Sequence, residues 1–178
     1  MVKFFIEPTY DVKAPQRDFG NAGIDVFVPN YSDKFKEDFE TKNSSVCSVL
    51  TQDEKTGEYF IKVFPHKDVN IPTGLRSRIS ANIALEAHNK SGVAAKKKLI
   101  FGASTVDASY KGIIHAHMIN TSDSTVTIPL GTKIVQFIPR MIDISPIEVY
   151  NNISLEAFYE NFEFSNRGEG AFGSTGTK

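Results

Sequence analysis

Only one cysteine, Cys47, stands among the 178 residues. An intrachain disulfide is therefore excluded, and a reducing, cytoplasmic setting is expected. No apolar run approaches the ~18 residues of a membrane span. The opening Met1-Val2-Lys3-Phe4-Phe5-Ile6-Glu7-Pro8 holds an apolar stretch too short for a secretory signal. No membrane association is expected. Neither sign of charge dominates: 20 basic against 21 acidic residues leave a net charge of -1. A nucleic-acid partner would need a local basic patch that the overall balance does not announce, and none is expected. The four histidines and the cysteine lack metal-ligand spacing. His115 and His117, two apart, would share one face of a strand and read as a sheet-surface pair. Long helical periodicity is scarce, and there is neither a sequence repeat nor a linker between two cores.

What is present is an ordinary soluble composition, 40% hydrophobic and 23% charged, in a length that suits one domain with a real core. Short apolar runs bounded by Gly, Pro, Asn, Asp and Ser predict many short strands. They fall at Val2 to Ile6, Gly23 to Val28, Tyr59 to Phe64, Leu99 to Phe101, Ile113 to Ile119, Thr125 to Ile128, Ile134 to Ile138 and Ile147 to Tyr150. Val69 to Leu75 reads as a short strand entering a turn. Ile79 to Ala87 is strand-like, although its Ala, Leu and Glu also suit a helix. Residues 30–58 are polar and irregular, a surface insertion with room for a short helix near Asp33–Phe39. Ser154 to Phe162 predicts a second short helix, capped by Ser154, with Leu155, Phe158, Tyr159 and Phe162 along one side. The expected fold is all-β, a jelly-roll-like sandwich or barrel with at most one or two short helices. A single β domain over residues 1–164 is followed by a flexible Gly-rich arm over 165–178.

Five pieces of the chain carry chemistry. Arg167-Gly168-Glu169-Gly170-Ala171-Phe172-Gly173-Ser174-Thr175-Gly176 has four glycines in ten residues. Its backbone N–H groups can approach an anion, with Ser174 and Thr175 as hydroxyl donors and Arg167 as a planar cation for phosphate. Phe172 can stack on a base. Composition alone favours a solvated chain end. In Val106-Asp107-Ala108-Ser109-Tyr110-Lys111-Gly112, Asp107 follows a strand residue and can orient a water as general base, while Tyr110 can pack on a sugar. A plain β-turn in which Asp107 bonds its own backbone accounts for the same residues. Ala22-Gly23-Ile24-Asp25 sets an acid at a strand start. Asn89-Lys90-Ser91-Gly92 sets a cation and a hydroxyl at a turn. Gly131-Thr132-Lys133-Ile134-Val135-Gln136-Phe137 sets one amide, Gln136, in an apolar strand, where an amide facing the core needs a partner or a ligand.

In this order the five pieces resemble the five motifs of the trimeric dUTPase family, from Ala22 to Gly176. The resemblance implies a jelly-roll subunit, a homotrimer and active sites built from several subunits. It implies hydrolysis of dUTP to dUMP and pyrophosphate, with Mg²⁺ carried by the triphosphate. Asp107 would orient the attacking water and contact the 3′-hydroxyl, and Tyr110 would pack under the deoxyribose. Gln136 would position the water and the α-phosphate. Lys90, Ser91 and Gly92 would meet the phosphates. Asp25 would hold a water of the Mg²⁺ shell or a neighbouring cation. Phe172 would stack on the base, while Arg167, Gly173, Ser174 and Thr175 would close over the terminal phosphates.

The chain departs from the family pattern twice. Lys90 stands where the family has Arg, losing the bidentate fork; Arg76 or Arg78 could replace it in space. The stretch Leu99-Ile100-Phe101-Gly102-Ala103-Ser104 is shorter than the family's base-reading hairpin and lacks its Asn. Another base, as in dCTP or a modified dUTP, is therefore a rival substrate. A nucleotide-gated regulatory protein, served by the insertion at 30–58, is a rival of another class. The related dCTP deaminases place a Glu where this chain has His117, so deamination is not expected.

Overall fold

The computed structural model describes residues 1–151 and 153–159. Met1–Ile144 forms one compact unit and Ser145–Lys178 a second. The first unit holds β1 (Val2–Ile6), β2 (Ile24–Phe27), α1 (Asp33–Lys42), β3 (Ser48–Gln52), β4 (Tyr59–Val63), β5 (Asp68–Pro72) and β6 (Leu75–Ile79). It continues with β7 (Ile83–Asn89), α2 (Ser91–Lys97), β8 (Leu99–Phe101), β9 (Thr105–Val106), β10 (His115–Asn120), β11 (Val126–Pro129) and β12 (Lys133–Met141). These strands pair antiparallel in four small sheets, ordered β1-β6, β5-β10-β8, β11-β4-β3 and β2-β12-β7-β9. The result is the all-β, jelly-roll-like fold that the short alternating runs imply.

Alternation decides what enters the core. In β10 the side chains of Ala116, Met118 and Asn120 are buried, while His115, His117 and Ile119 between them are half-buried. Asn120 is tolerated inside because it is fully partnered. Its Nδ2 donates to the carbonyls of Val63, Phe64 and Ser124 at 3.1, 3.0 and 2.8 Å. Its Oδ1 accepts from the N–H and the hydroxyl of Ser122.

The segment 30–58 corrects the expectation of an irregular surface insertion. Ser32 caps α1, accepting from the Phe35 N–H at 3.2 Å. Phe35 and Phe39, one turn apart, are buried in the core. The charged majority of the helix hid this narrow apolar stripe. The second half of the segment holds β3, which pairs with β4 from Ser48↔Val63 to Gln52↔Tyr59.

Among the described residues three helices form rather than at most two. The added one, α2, follows Lys90 without a side-chain cap, and its second half, Ala94 to Lys97, is made of Ala and Lys residues that favour helix. The ambiguous run Ile79 to Ala87 divides into the end of β6, a turn closed by Ile83 N–H to Ser80 O at 2.9 Å, and β7. In the second unit, α3 (Leu155–Phe158) starts at the expected cap, Ser154, which accepts from the Ala157 N–H at 3.2 Å. Ile147 to Tyr150, expected as a strand, pairs with no strand among the described residues, and Ile147, Val149 and Tyr150 are exposed. No helix among the described residues is long and apolar enough to cross a membrane.

Candidate active site

Five of the residues singled out in the sequence line two separate hollows, Asp107 and Tyr110 the first and Asp25, Lys90 and Gln136 the second. The first, of about 190 Å³, lies where β9 runs out into the turn before β10; Ala103, Ser104, Asp107, Tyr110, Ile114 and His115 line it. The turn is closed by the Tyr110 N–H donating to the Asp107 carbonyl at 3.1 Å. The backbone of Asp107, not its carboxylate, therefore makes the turn. Among the described residues that carboxylate has no hydrogen-bond or ion-pair partner. Tyr110 folds back over the turn, and its hydroxyl donates to the Ile113 carbonyl at 2.9 Å. Gly112 is what lets it lie there, since a Cβ on residue 112 would sit 2.4 Å from the tyrosine oxygen. Tyr110 remains 43% exposed, leaving ring surface free to pack against a ligand.

His115 forms part of the same wall. Burial pushes it below the ordinary histidine range, against the opposing pull of the Ile113 carbonyl. That carbonyl can only accept, so the contact at 2.8 Å puts the proton of the neutral ring on Nδ1. Nothing in the sequence marked His115 as a wall of the hollow; only the register of β10 does.

The second hollow, of about 260 Å³, is lined by Gln16, Asp18, Gly23, Asp25, Lys90 and Gln136. The pairing of β12 with β2 builds it, with Gln136 opposite Asp25. Gln136 does not face the core, as its apolar neighbours suggested. The period of two sends Val135 and Phe137 inward and turns Gln136 to the other face. Its amide donates to the Asn89 carbonyl at 3.4 Å. Gly23 makes room for it: a Cβ there would lie 2.4 Å from the Gln136 Oε1.

Asp25 is held on both sides. Lys90 bonds one carboxylate oxygen, and Lys133 bonds the other at 2.8 Å. Burial alone would raise the Asp25 pKa, but the hydrogen bonds from Lys133 and Lys90 and their charges outweigh it and hold the carboxyl below its usual range. Lys133 was missed in the sequence because it stands at the polar start of an apolar strand. Lys90 and Lys133 are thus the two cations on Asp25. Arg76 and Arg78 do not join them: Arg76 pairs with Glu7 and donates to the Lys111 carbonyl, and Arg78 lies beside Met1, Lys3 and Ser80. Among the described residues there is no cluster of three or more metal-binding side chains. With both its oxygens taken by ammonium groups, Asp25 is an anchor for cations rather than an open metal ligand.

The structure does not bring Asp107 and Gln136 together. Gln136 stands opposite His88 of β7, while Val106 stands opposite Leu85. Asp107 is thus level with Ala84, roughly 13 Å further along the strands and about 10 Å across two strand spacings. One water cannot lie within hydrogen-bond reach of both side chains of the same chain. Each hollow is also smaller than the ~300–1,000 Å³ of a complete small-molecule site. Ser91 and Gly92 are exposed at the start of α2, beside Lys90. Arg167, Phe172, Gly173, Ser174 and Thr175 lie outside the described residues.

Comparison with known proteins identifies the family. A family model described as dUTPase matches residues 56–176. A deoxyuridine 5'-triphosphate nucleotidohydrolase from Picosynechococcus sp. is 33% identical over 122 residues, covering 66% of this chain and 78% of the relative. One from Oryza sativa subsp. japonica is 34% identical over 106 residues, covering 60% of this chain and 57% of the relative. Among solved structures, the Staphylococcus bacteriophage 80alpha dUTPase with dUPNHPP superposes with a TM-score of 0.69 at 17% identity, covering 99% of both chains. The native EIAV dUTPase gives 0.57 at 16% identity, covering 87% of this chain and all of that one.

Proposed function

The chain belongs to the dUTPase family, and from that premise we propose that it is a dUTP diphosphatase whose active site is completed between the subunits of a homotrimer. The substrate is dUTP as its Mg²⁺ complex, and the products are dUMP and pyrophosphate. The observation that carries this reading is the division of its polar side chains into two half-sites. One hollow offers the Asp107 carboxylate, without a partner among the described residues, beside the open ring of Tyr110. The other offers Gln136 and Lys90, with Lys133 joined to it through Asp25. Neither suffices, and the register keeps them apart within one subunit.

The first hollow receives the nucleoside. Tyr110 packs against the deoxyribose and leaves no space for a 2′-hydroxyl. Asp107 bonds the 3′-hydroxyl and draws the proton from a water aimed at the α-phosphorus. The second hollow, from a neighbouring subunit, receives the triphosphate. Gln136 orients the water and an α-phosphate oxygen, while Lys90, Ser91 and Gly92 meet the phosphate chain. Asp25 aligns Lys90 and Lys133, so that two fixed ammonium groups face the polyanion. Both aim at charge that develops in the transition state, without reorganising when it forms.

The donor set suits a metal ion that arrives with the triphosphate, because Asp25 is engaged by lysines and no acidic cage stands beside it among the described residues. Mg²⁺ would neutralise phosphate charge and ease departure of pyrophosphate. The tail, with Phe172 over the base and Arg167, Gly173, Ser174 and Thr175 on the phosphates, would close the site and exclude bulk water.

Hydrolysis in water enriched in heavy oxygen tests the point of attack. The label should appear in dUMP, with pyrophosphate unlabelled and no orthophosphate released. Label in the pyrophosphate would mean attack on the β-phosphorus and would remove the role given to Asp107.

A further inference from the structure

The segment from Phe101 to Ser104 contributes Ala103 and Ser104 to the wall of the first hollow. Three consecutive N–H groups tie it down. Phe101 donates to the Asn89 side-chain oxygen at 2.7 Å. Gly102 donates to the His117 carbonyl at 2.9 Å. Ala103 donates to the His117 ring at Nδ1, at 3.1 Å. Two of the three anchors therefore belong to one residue. A backbone N–H can only donate, so Nδ1 of His117 is an acceptor and the ring proton sits on Nε2. On that side the ring meets the Asp68 carboxylate of β5 at 3.0 Å. His117 thus spans the sheet, held by β5 and holding the loop that follows β8. The fit is tight: a Cβ on residue 102 would fall 2.1 Å from Nδ1.

We infer that His117, oriented by Asp68, is a positioning residue that sets the base-side wall of the nucleoside hollow and thereby the selection of uracil over other bases. The inference rests on the proposed reading of that hollow as the nucleoside site. Chemistry favours histidine at this position. An imidazole presents an acceptor on one edge and a donor on the other, so one rigid ring serves both neighbouring strands. Occupied by His117 and Asn89, the N–H groups of residues 101 to 103 are spent on shape rather than on hydrogen bonds to a base. Selection then depends on where this wall stands. His117 touches neither of the groups assigned to the water, so it acts through Ala103.

The test is a set of steady-state measurements on the full-length chain with dUTP and dCTP, paired with calorimetric binding of a non-hydrolysable dUTP analogue. His117→Ala should raise KM for dUTP about five- to tenfold, the scale of one lost hydrogen bond, with kcat within about twofold. Its preference for dUTP over dCTP should narrow by a similar factor. His117→Asn keeps an oxygen near the place of Nδ1 and should recover most of the loss. Gly102→Ala, which drives the wall off the ring, should mimic His117→Ala, yet add little on top of it because the obstructing ring has gone. The inference is overturned if kcat falls with KM and selectivity unchanged, if Asn is no better than Ala, or if the two substitutions add fully. Should His117→Ala fail to fold, Gly102→Ala alone decides by the same readouts. A wild-type chain that does not bind the dUTP analogue would overturn the nucleoside hollow and this inference with it. Binding by wild type with an indifferent His117→Ala would overturn this inference alone.

Discussion

Asp107→Asn should lower the turnover of dUTP by about 10²–10⁴-fold, the usual worth of a positioned general base, while nucleotide affinity stays within a few-fold. Asparagine keeps the size of the side chain and its oxygen toward the 3′-hydroxyl, but it cannot take a proton from water. The substitution is clean because the Asp107 carboxylate supports nothing else among the described residues. The turn is closed by its backbone carbonyl, and no described donor or cation leans on the side chain. A stability defect would therefore be a surprise. Measuring single-turnover rates beside analogue affinity separates the two effects. A variant with full activity would remove Asp107 from the chemistry.

Mixed trimers should show the second large effect. Asp107→Asn and Gln136→Ala chains should each be nearly inactive alone. Unfolded together in equal amounts and refolded, they should recover about a quarter of wild-type activity. The figure follows from random assembly in a closed ring. A site that takes Asp107 from one subunit and Gln136 from another is intact when both contributors carry the right residue, half by half. If both residues served one site within a single chain, no mixture could place the two intact groups together, and activity would stay at the level of the single variants. The strand register motivates the expectation, since it separates Gln136 from Asp107 by four residues along β7 and by two strand spacings.

Much of this was legible in the sequence because strands repeat every two residues and turns announce themselves. The sheet-forming runs around Ile61, Ala116 and Phe137 were read correctly for that reason. Helix α1 was found but undervalued: Phe35 and Phe39 are only two apolar side chains among charges, and their burial is a tertiary fact. α2 was read as part of a turn because Lys90-Ser91-Gly92 looks like one, and its Ala-Lys run lies just beyond. Ile147 to Tyr150 has the composition of a strand but no partner strand among the described residues, and propensity alone cannot supply one. Within the candidate site, the individual residues were visible while their grouping was not. Asp25, Lys90 and Gln136 meet because β2 and β12 pair, whereas Lys133 completes the set from a polar strand end. The bond from His117 to Ala103 depends on strand register, which no local pattern encodes.

The central claim, that this fold hydrolyses dUTP in particular, is tested most directly by a panel of deoxynucleoside triphosphates assayed for pyrophosphate release with and without Mg²⁺. dUTP should be cleaved with the highest kcat/KM of the panel, by an order of magnitude or more, and removal of Mg²⁺ should suppress the reaction. If dCTP or another nucleotide were cleaved best and dUTP worst, the substrate assigned to the hollow beside Asp107 and Tyr110 would be wrong.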